Sequence, residues 1–227
     1  MKSKLLIVGL LCTITFTTNA QTEKGKSLIN GAIGFGSNKT DNISTGLSTS
    51  NQKSSYFTVA PNYGYFVSNN LAIGLGLSFL QNKQTANSTD IIASTPIFRS
   101  QVYKQSTFTI HPFLRKYIDV AEKFKFFGHL NGGIGFGTIE TKNDYNYTTT
   151  PTTSEDKYKV TSYHAALSPG FAFYPSKKWG IEFSFPLIAY NKFKPNEETT
   201  TITLSSNETI NFATNSFNPN IGFTFHF

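Results

Sequence analysis

The sequence has one cysteine, Cys12, one tryptophan, Trp179, and no methionine after Met1. A lone thiol excludes a disulfide framework and any site built from several thiolates. Beyond the first 20 residues no apolar run approaches the roughly 20 residues of a membrane helix. There is no nucleophile-elbow or zinc-hydrolase motif and no phosphate-binding loop. Charged residues make up only 15% of the chain. Without Lys2 and Lys4, 18 basic residues face 13 acidic ones, a net charge of +5. The lysines are scattered, mainly through loops and turns, so no nucleic-acid partner is expected.

The amino terminus reads as a targeting signal. Lys2 and Lys4 precede a short apolar stretch over residues 5–16, and Thr18-Asn19-Ala20 supplies small residues before a cut. Cleavage is expected between Ala20 and Gln21, leaving residues 21–227 as one domain. Cys12 lies within the apolar stretch and Leu11 is too large for lipoprotein processing, so the lone thiol is expected to leave with the signal.

What remains is repetitive. Val59-Ala60-Pro61-Asn62-Tyr63, Ile110-His111-Pro112-Phe113-Leu114, Leu167-Ser168-Pro169-Gly170-Phe171 and Phe217-Asn218-Pro219-Asn220-Ile221 share one pattern of apolar residue, spacer, proline, spacer, apolar residue. The first three run into short turns at residues 67–70, 118–123 and 174–178. Alternating strands follow: Leu71, Ile73, Leu75, Leu77 and Phe79; then Phe124, Phe126, Leu130, Ile134 and Phe136; then Trp179, Ile181, Phe183, Phe185 and Leu187. With an opening strand over 29–35 and the last strand, the count is eight. Long Thr-, Ser- and Asn-rich connections at 38–53, 81–104, 138–159 and 191–215 alternate with the short turns and are expected to be partly strand. Proline lacks the ladder N–H, so Pro61, Pro112, Pro169 and Pro219 should mark bulges or bends.

The polar stripe decides which face meets which solvent. It reads Thr58, Ala60, Asn62, Gly64 on one strand, Ala72, Gly74, Gly76, Ser78 on the next, then Asn131, Gly133, Gly135, and finally Asn218, Asn220, Gly222, Thr224. A water-facing surface carries many Lys and Glu, whereas small neutral residues suit the bore of an eight-strand barrel. The opposite stripe of Phe, Leu, Ile, Val, Tyr and Trp suits hydrocarbon, where a closed barrel pairs every backbone group internally. Tyr63, Tyr65 and Trp179 fall near the short turns, where an interfacial aromatic belt is expected. The predicted fold is a single antiparallel up-and-down transmembrane β-barrel of about eight strands behind a cleaved signal peptide.

The Gly-rich opening strand Gly31-Ala32-Ile33-Gly34-Phe35-Gly36, the repeated hairpins and the Phe227 ending resemble the small eight-stranded outer-membrane β-barrel family of the OmpA, OmpX and OmpW type. Pro112-Phe113-Leu114-Arg115-Lys116-Tyr117 is similar to the family's proline–aromatic–arginine–tyrosine strand end. The resemblance implies a Gram-negative outer-membrane address and contact with outer-membrane lipid. It also implies that the barrel-assembly machinery recognises Phe223, Phe225 and Phe227. Relatives of the OmpA and OmpX type are structural or adhesive and OmpW-type relatives are proposed small-solute channels. No wall-binding domain is expected after Phe227.

Few groups could carry chemistry. Arg115, Lys125 and Glu182 fall on the inferred lumen stripe, as do His111, His129, His164 and His226. A hairpin turning over 118–123 would set His111 opposite His129 and Arg115 opposite Lys125. Two facing cations need a carboxylate, and an Arg115–Glu182 contact is expected to supply it. That contact is read as a plug, with a charged constriction in a pore as the alternative. The histidines lack tight ligand spacing, so no metal or cofactor is expected. Ser168 near His164 lacks a convincing third member of a catalytic set, so no enzyme is expected. A structural or surface-interaction barrel with an extracellular partner is favoured. A narrow channel is the first alternative, and a lipid-modifying enzyme the second.

Overall fold

The computed structural model describes residues 22–44, 48–92, 95–147, 150–196, 206–212 and 220–227. The signal-peptide reading, Cys12, and Phe217-Asn218-Pro219 lie outside them. The described chain forms β1 (Ser27–Ser44), β2 (Ser48–Ser68), β3 (Leu71–Ile92), β4 (Thr95–Ala121), β5 (Phe124–Tyr147), β6 (Thr150–Phe173), β7 (Trp179–Ser184), β8 (Ile188–Pro195), β9 (Asn207–Phe212) and β10 (Asn220–His226). Every pairing is antiparallel.

These ten segments make eight staves. β7 and β8 both pair with β6 and form one interrupted stave; β10 pairs with β7 and β9 with β8, forming another. The ring closes where β10 pairs with β1 from Leu28↔His226 to Gly31↔Phe223. Ser27 N–H donates to the carbonyl of Phe227 at 2.8 Å, and Phe227 N–H returns the bond at 3.0 Å. The last residue is therefore part of the closure. Beyond Gly31, β1 has no partner on its β10 side among the described residues.

Most of the polar connections are strand. β4 has 27 residues and β5 and β6 have 24 each, where about 9–11 suffice to cross hydrocarbon. Their Thr-rich sequence suits a pleated surface, and paired strand satisfies backbone groups that a loop would leave to water. The barrel wall therefore continues as tall hairpins.

Alternation sorts the side chains as the two stripes require. Ile33, Phe35, Ile73, Leu75, Leu114, Leu130 and Phe136 are exposed on the outer wall, while Ala72 and Thr224 are fully buried within. The bore is not lined by small residues alone. Leu28, Phe66, Phe113, Tyr117, Phe127 and Tyr174 pack there with Ala72 and Ala172 as one cluster in the half nearest the short turns. Glycine on a neighbouring stave makes the room. A Cβ on Gly74 would come within 2.6 Å of Phe113 Cε1, and one on Gly170 within 2.8 Å of Phe127 Cε2.

The prolines interrupt ladders without always shifting them. Pro61 pairs with Gly31 on β1, but Ala60 and Pro61 have no partner on β3, and the register resumes unchanged at Asn62↔Gly76. Pro112 pairs with Leu75 on β3 and leaves the same kind of gap toward β5. Of the two expected forms, bulge or bend, neither proline is a bulge: a missing N–H removes a bond without inserting a residue. Pro169 differs. Gly170 pairs with Ser184 and Leu167 with Ile188, so residues 185–187 face only two residues of β6. That extra residue reverses the alternation between β7 and β8.

Candidate functional site

Arg115 on β4 and Glu182 on β7 reach toward each other across the bore. Their neighbours in register are mostly small. Arg115 lies between Ala72 and His129, and Glu182 between Ala172 and Gly222. Both residues are 5% exposed. Arg115 Nη1 donates to both carboxylate oxygens of Glu182 at 2.8 Å. Tyr117 Oη donates to Glu182 Oε1 and Asn30 Nδ2 to Oε2, each at 3.3 Å. Arg115 also donates through Nη1 to Tyr117 Oη and through Nε to His129 Nδ1, both at 3.1 Å. His129 must then carry its proton on Nε2 and be neutral. The guanidinium lies 4.5 Å from the Phe127 ring centre. A buried charge is tolerable only when paired and hydrogen-bonded, and this pair has both.

A second tier closes the end near the short turns. Lys125 pairs with Asp119 and donates to Thr22 Oγ1 at 3.2 Å. Asn70 donates its side-chain amide to Asp119 at 3.0 Å and its backbone N–H to the carbonyl of Thr22 at 2.7 Å. Thr22 and Asn70 also share a side-chain hydrogen bond. Asn70 holds φ at 63°, a left-handed turn conformation that asparagine tolerates. The amino-terminal segment is thus tied across the mouth of the barrel.

Two expected appositions are corrected. Arg115 faces His129, not Lys125, and Lys125 faces Asp119. His111 does not face His129. The hairpin turns on Glu122 and Lys123, nearer β5 than a turn over 118–123, and an irregularity between Asp119 and Ala121 adds one residue. Those shifts move the register by four. His111 instead donates from Nε2 to Asn62 Oδ1 at 3.0 Å and meets the His164 ring edge-on, 5.7 Å between centres. His226 lies lower, against Tyr174 Oη at 3.3 Å and Thr224 Oγ1 at 3.1 Å. The four histidines are spread over several heights. No cluster of three or more His, Cys, Asp or Glu that could hold a metal occurs among the described residues.

Ser168 faces His129 in register rather than His164, and no hydrogen bond joins them among the described residues. Above the Arg115 tier the bore opens into a cavity of about 450 Å³ lined by Thr58, Ser78, Thr107, Ser162, His164 and Asn191 among others. Tyr117 ends the Pro112–Tyr117 motif, whereas no motif marks Asn30 or Tyr174. Their signal is phase: Asn30 has the inward parity of β1, and Tyr174, one residue past β6, continues the inward parity of Gly170 and Ala172.

A closed antiparallel ring, greasy outside and charged within, meets an independent likeness. The sequence profile described as "Outer membrane protein beta-barrel domain" matches residues 19–189. The chain belongs to that family. It is an integral barrel of the outer membrane. No curated protein sequence matches it. Among solved structures it is similar to Ail, the attachment invasion locus protein of Yersinia pestis, crystallised with the heparin analogue sucrose octasulfate. Identity is 16%, coverage 90% of this chain and 99% of that one, and the TM-score 0.34. It is also similar to OprG of Pseudomonas aeruginosa, with 14% identity, coverage of 90% and 97%, and a TM-score of 0.39. The amino-terminal barrel domain of OprF from the same organism gives 10% identity, coverage of 90% and 98%, and a TM-score of 0.29. No ligand or role transfers at that distance.

Proposed function

We propose that this protein is a closed, non-conducting barrel that anchors tall hairpins above the outer membrane as a surface for an extracellular partner. Short turns belong at the periplasmic side of such barrels and long connections outside, which orients the hairpins of β1 to β6 outward. One observation carries the reading: the Arg115–Glu182 pair crosses the bore with Tyr117, Asn30 and His129 bonded to it. Large aromatic side chains fill the space around it. An ion crossing that tier would have to break a buried, hydrogen-bonded pair. Charge-lined pores instead keep their groups beside an open path.

The proposal includes no catalytic step. Acyl transfer to or from lipid needs a nucleophile and base in hydrogen-bond reach, and Ser168 has no such bond to a histidine among the described residues. Assembly through the terminal strand belongs to the same proposal, with Phe223, Phe225 and Phe227 facing outward for the assembly machinery. Planar-bilayer recording tests the sealed bore. The protein is expected to give no stepwise conductance, and Glu182→Ala to open sporadic small steps. Steady conductance in the unaltered protein, lost in Glu182→Ala, would establish the narrow channel instead.

A further inference from the structure

Lysines that look scattered along the sequence fall into line on the outer wall. Lys83 faces Lys104 directly across β3 and β4, Lys104 faces Glu140 on β5, and Glu140 faces Lys157 on β6. Glu140 is bonded to both neighbours, at 2.6 Å to Lys157 and 3.5 Å to Lys104. Lys83 has no acidic partner among the described residues. On the adjoining staves Lys39 faces Lys53 across β1 and β2. Asp41 takes Lys39 at 2.9 Å, and Lys53 also lacks an acid among the described residues.

The height of this row is set by the ladder. Phe79, Phe108 and Phe136 stand in register on the same outward parity and end the apolar wall. Two residues above them lie Gln81, Ser106 and Thr138, and two residues above those lie Lys83, Lys104 and Glu140. At about 3.3 Å per residue and a strand tilt of about 40°, the row stands roughly 10 Å above the last phenylalanines. Lysine stems can reach downward from there. That is headgroup height, directly above hydrocarbon. Like charges directly opposed on one face of a sheet destabilise it unless a counter-charge sits between them. In each pair one lysine has an acid, Lys104 with Glu140 and Lys39 with Asp41, while Lys83 and Lys53 have none among the described residues and are open to a counter-charge from outside the chain.

We infer that the wall of β1 to β4, with Lys157 beyond, is a binding surface for a phosphorylated lipid headgroup of the outer leaflet. A phosphate between Lys83 and Lys104 relieves their repulsion while the acyl chains lie against the phenylalanine row. Glu140 limits the site by holding Lys104 and Lys157. The inference depends on membrane insertion and not on the sealed bore, so an open lumen would leave it standing.

The test refolds the full chain into phosphatidylcholine vesicles containing a small fraction of diphosphoryl lipid A, or of the same glycolipid after phosphatase treatment. Native mass spectrometry after mild detergent extraction counts the glycolipid retained. The diphosphoryl form should be retained about tenfold more than the dephosphorylated form. Lys83→Gln/Lys104→Gln should abolish the difference, Lys24→Gln beyond the short turns should leave it, and Glu140→Gln should raise it. Excess inorganic phosphate should not compete. Equal retention of the two glycolipids, a double variant that folds by gel shift yet retains lipid unchanged, or displacement by inorganic phosphate would each overturn the inference. If the double variant fails to fold, Glu140→Gln decides alone: a rise supports the site, and no change or a fall refutes it.

Discussion

Replacing Glu182 by alanine should unfold this barrel more readily than any outer-wall substitution of similar size. Arg115 would keep its charge at 5% exposure with no carboxylate to meet it. Breaking a buried pair by removing one partner costs about 3–5 kcal/mol. Tyr117 and Asn30 would each lose an acceptor, at about 1 kcal/mol apiece if nothing replaces it. These terms share one network and do not simply add, so about 4 kcal/mol is the working figure, close to a thousandfold in the folding equilibrium. Trp179 is the only tryptophan and lies three residues before Glu182 on β7, so its fluorescence reports the right stave. The assay is urea unfolding in vesicles followed at Trp179. The decisive comparison is Arg115→Met/Glu182→Met, which removes both charges and fills the space; it should recover most of the loss. If Glu182→Ala costs less than about 1 kcal/mol, or the double variant is no better than the single, water already solvates Arg115. The plug is then no plug.

The aromatic filling makes its own demand: Phe113→Ala should cost about 3–5 kcal/mol, and Gly74→Val about 3 kcal/mol by crowding both the Phe113 ring and the Tyr63 carbonyl. Combining them should cost less than their sum, and an additive result would deny that Gly74 makes room for Phe113. Leu75→Lys, on the outer wall at 50% exposure, should cost about 2–4 kcal/mol in vesicles, whereas a negligible cost would put that wall in water. The reversal at residues 185–187 predicts labelling. In a Cys12→Ser background, a water-soluble maleimide should reach Ala189→Cys through the cavity and miss Ile188→Cys; the opposite result would mean unbroken alternation from Trp179.

Period-two alternation carried most of the fold. Ile73, Leu75 and Leu77 against Gly74 and Gly76 on one strand suffice to assign both faces, because a one-residue slip would put every leucine in the bore. Glu182 could be paired with Arg115 for a related reason: few ionisable groups share that parity near the short turns. The failures lie where one residue changes the count. The register between β4 and β5 depends on where the turn closes and on the irregularity near Val120, neither of which alternation encodes. The reversal after Ser184 is invisible because Phe185 and Leu187 keep an apolar rhythm through a stretch that is no longer ladder. Phe113 and Phe127 follow from the same phase, since large aromatics in phase with glycines and a charged arginine imply a filled bore.

The placement of the charges supports the proposed sealed barrel over a selective pore. Among the described residues, the charged pairs of the bore are the buried Arg115 with Glu182, and the buried Lys125 with the exposed Asp119 at the rim; positive and negative match one to one. Lys53 and Lys83, which lack acids among the described residues, are both on the outer wall. A pore selective for anions would concentrate unpaired cations along its path, and here that surplus stands outside, at the height of the lipid headgroups. On the proposed reading, the charge of the bore closes the lumen and the charge of the wall meets lipid. Substitutions in the two places should therefore be separable: bore variants should lower stability in any lipid, while wall variants should matter only where the lipid carries phosphate.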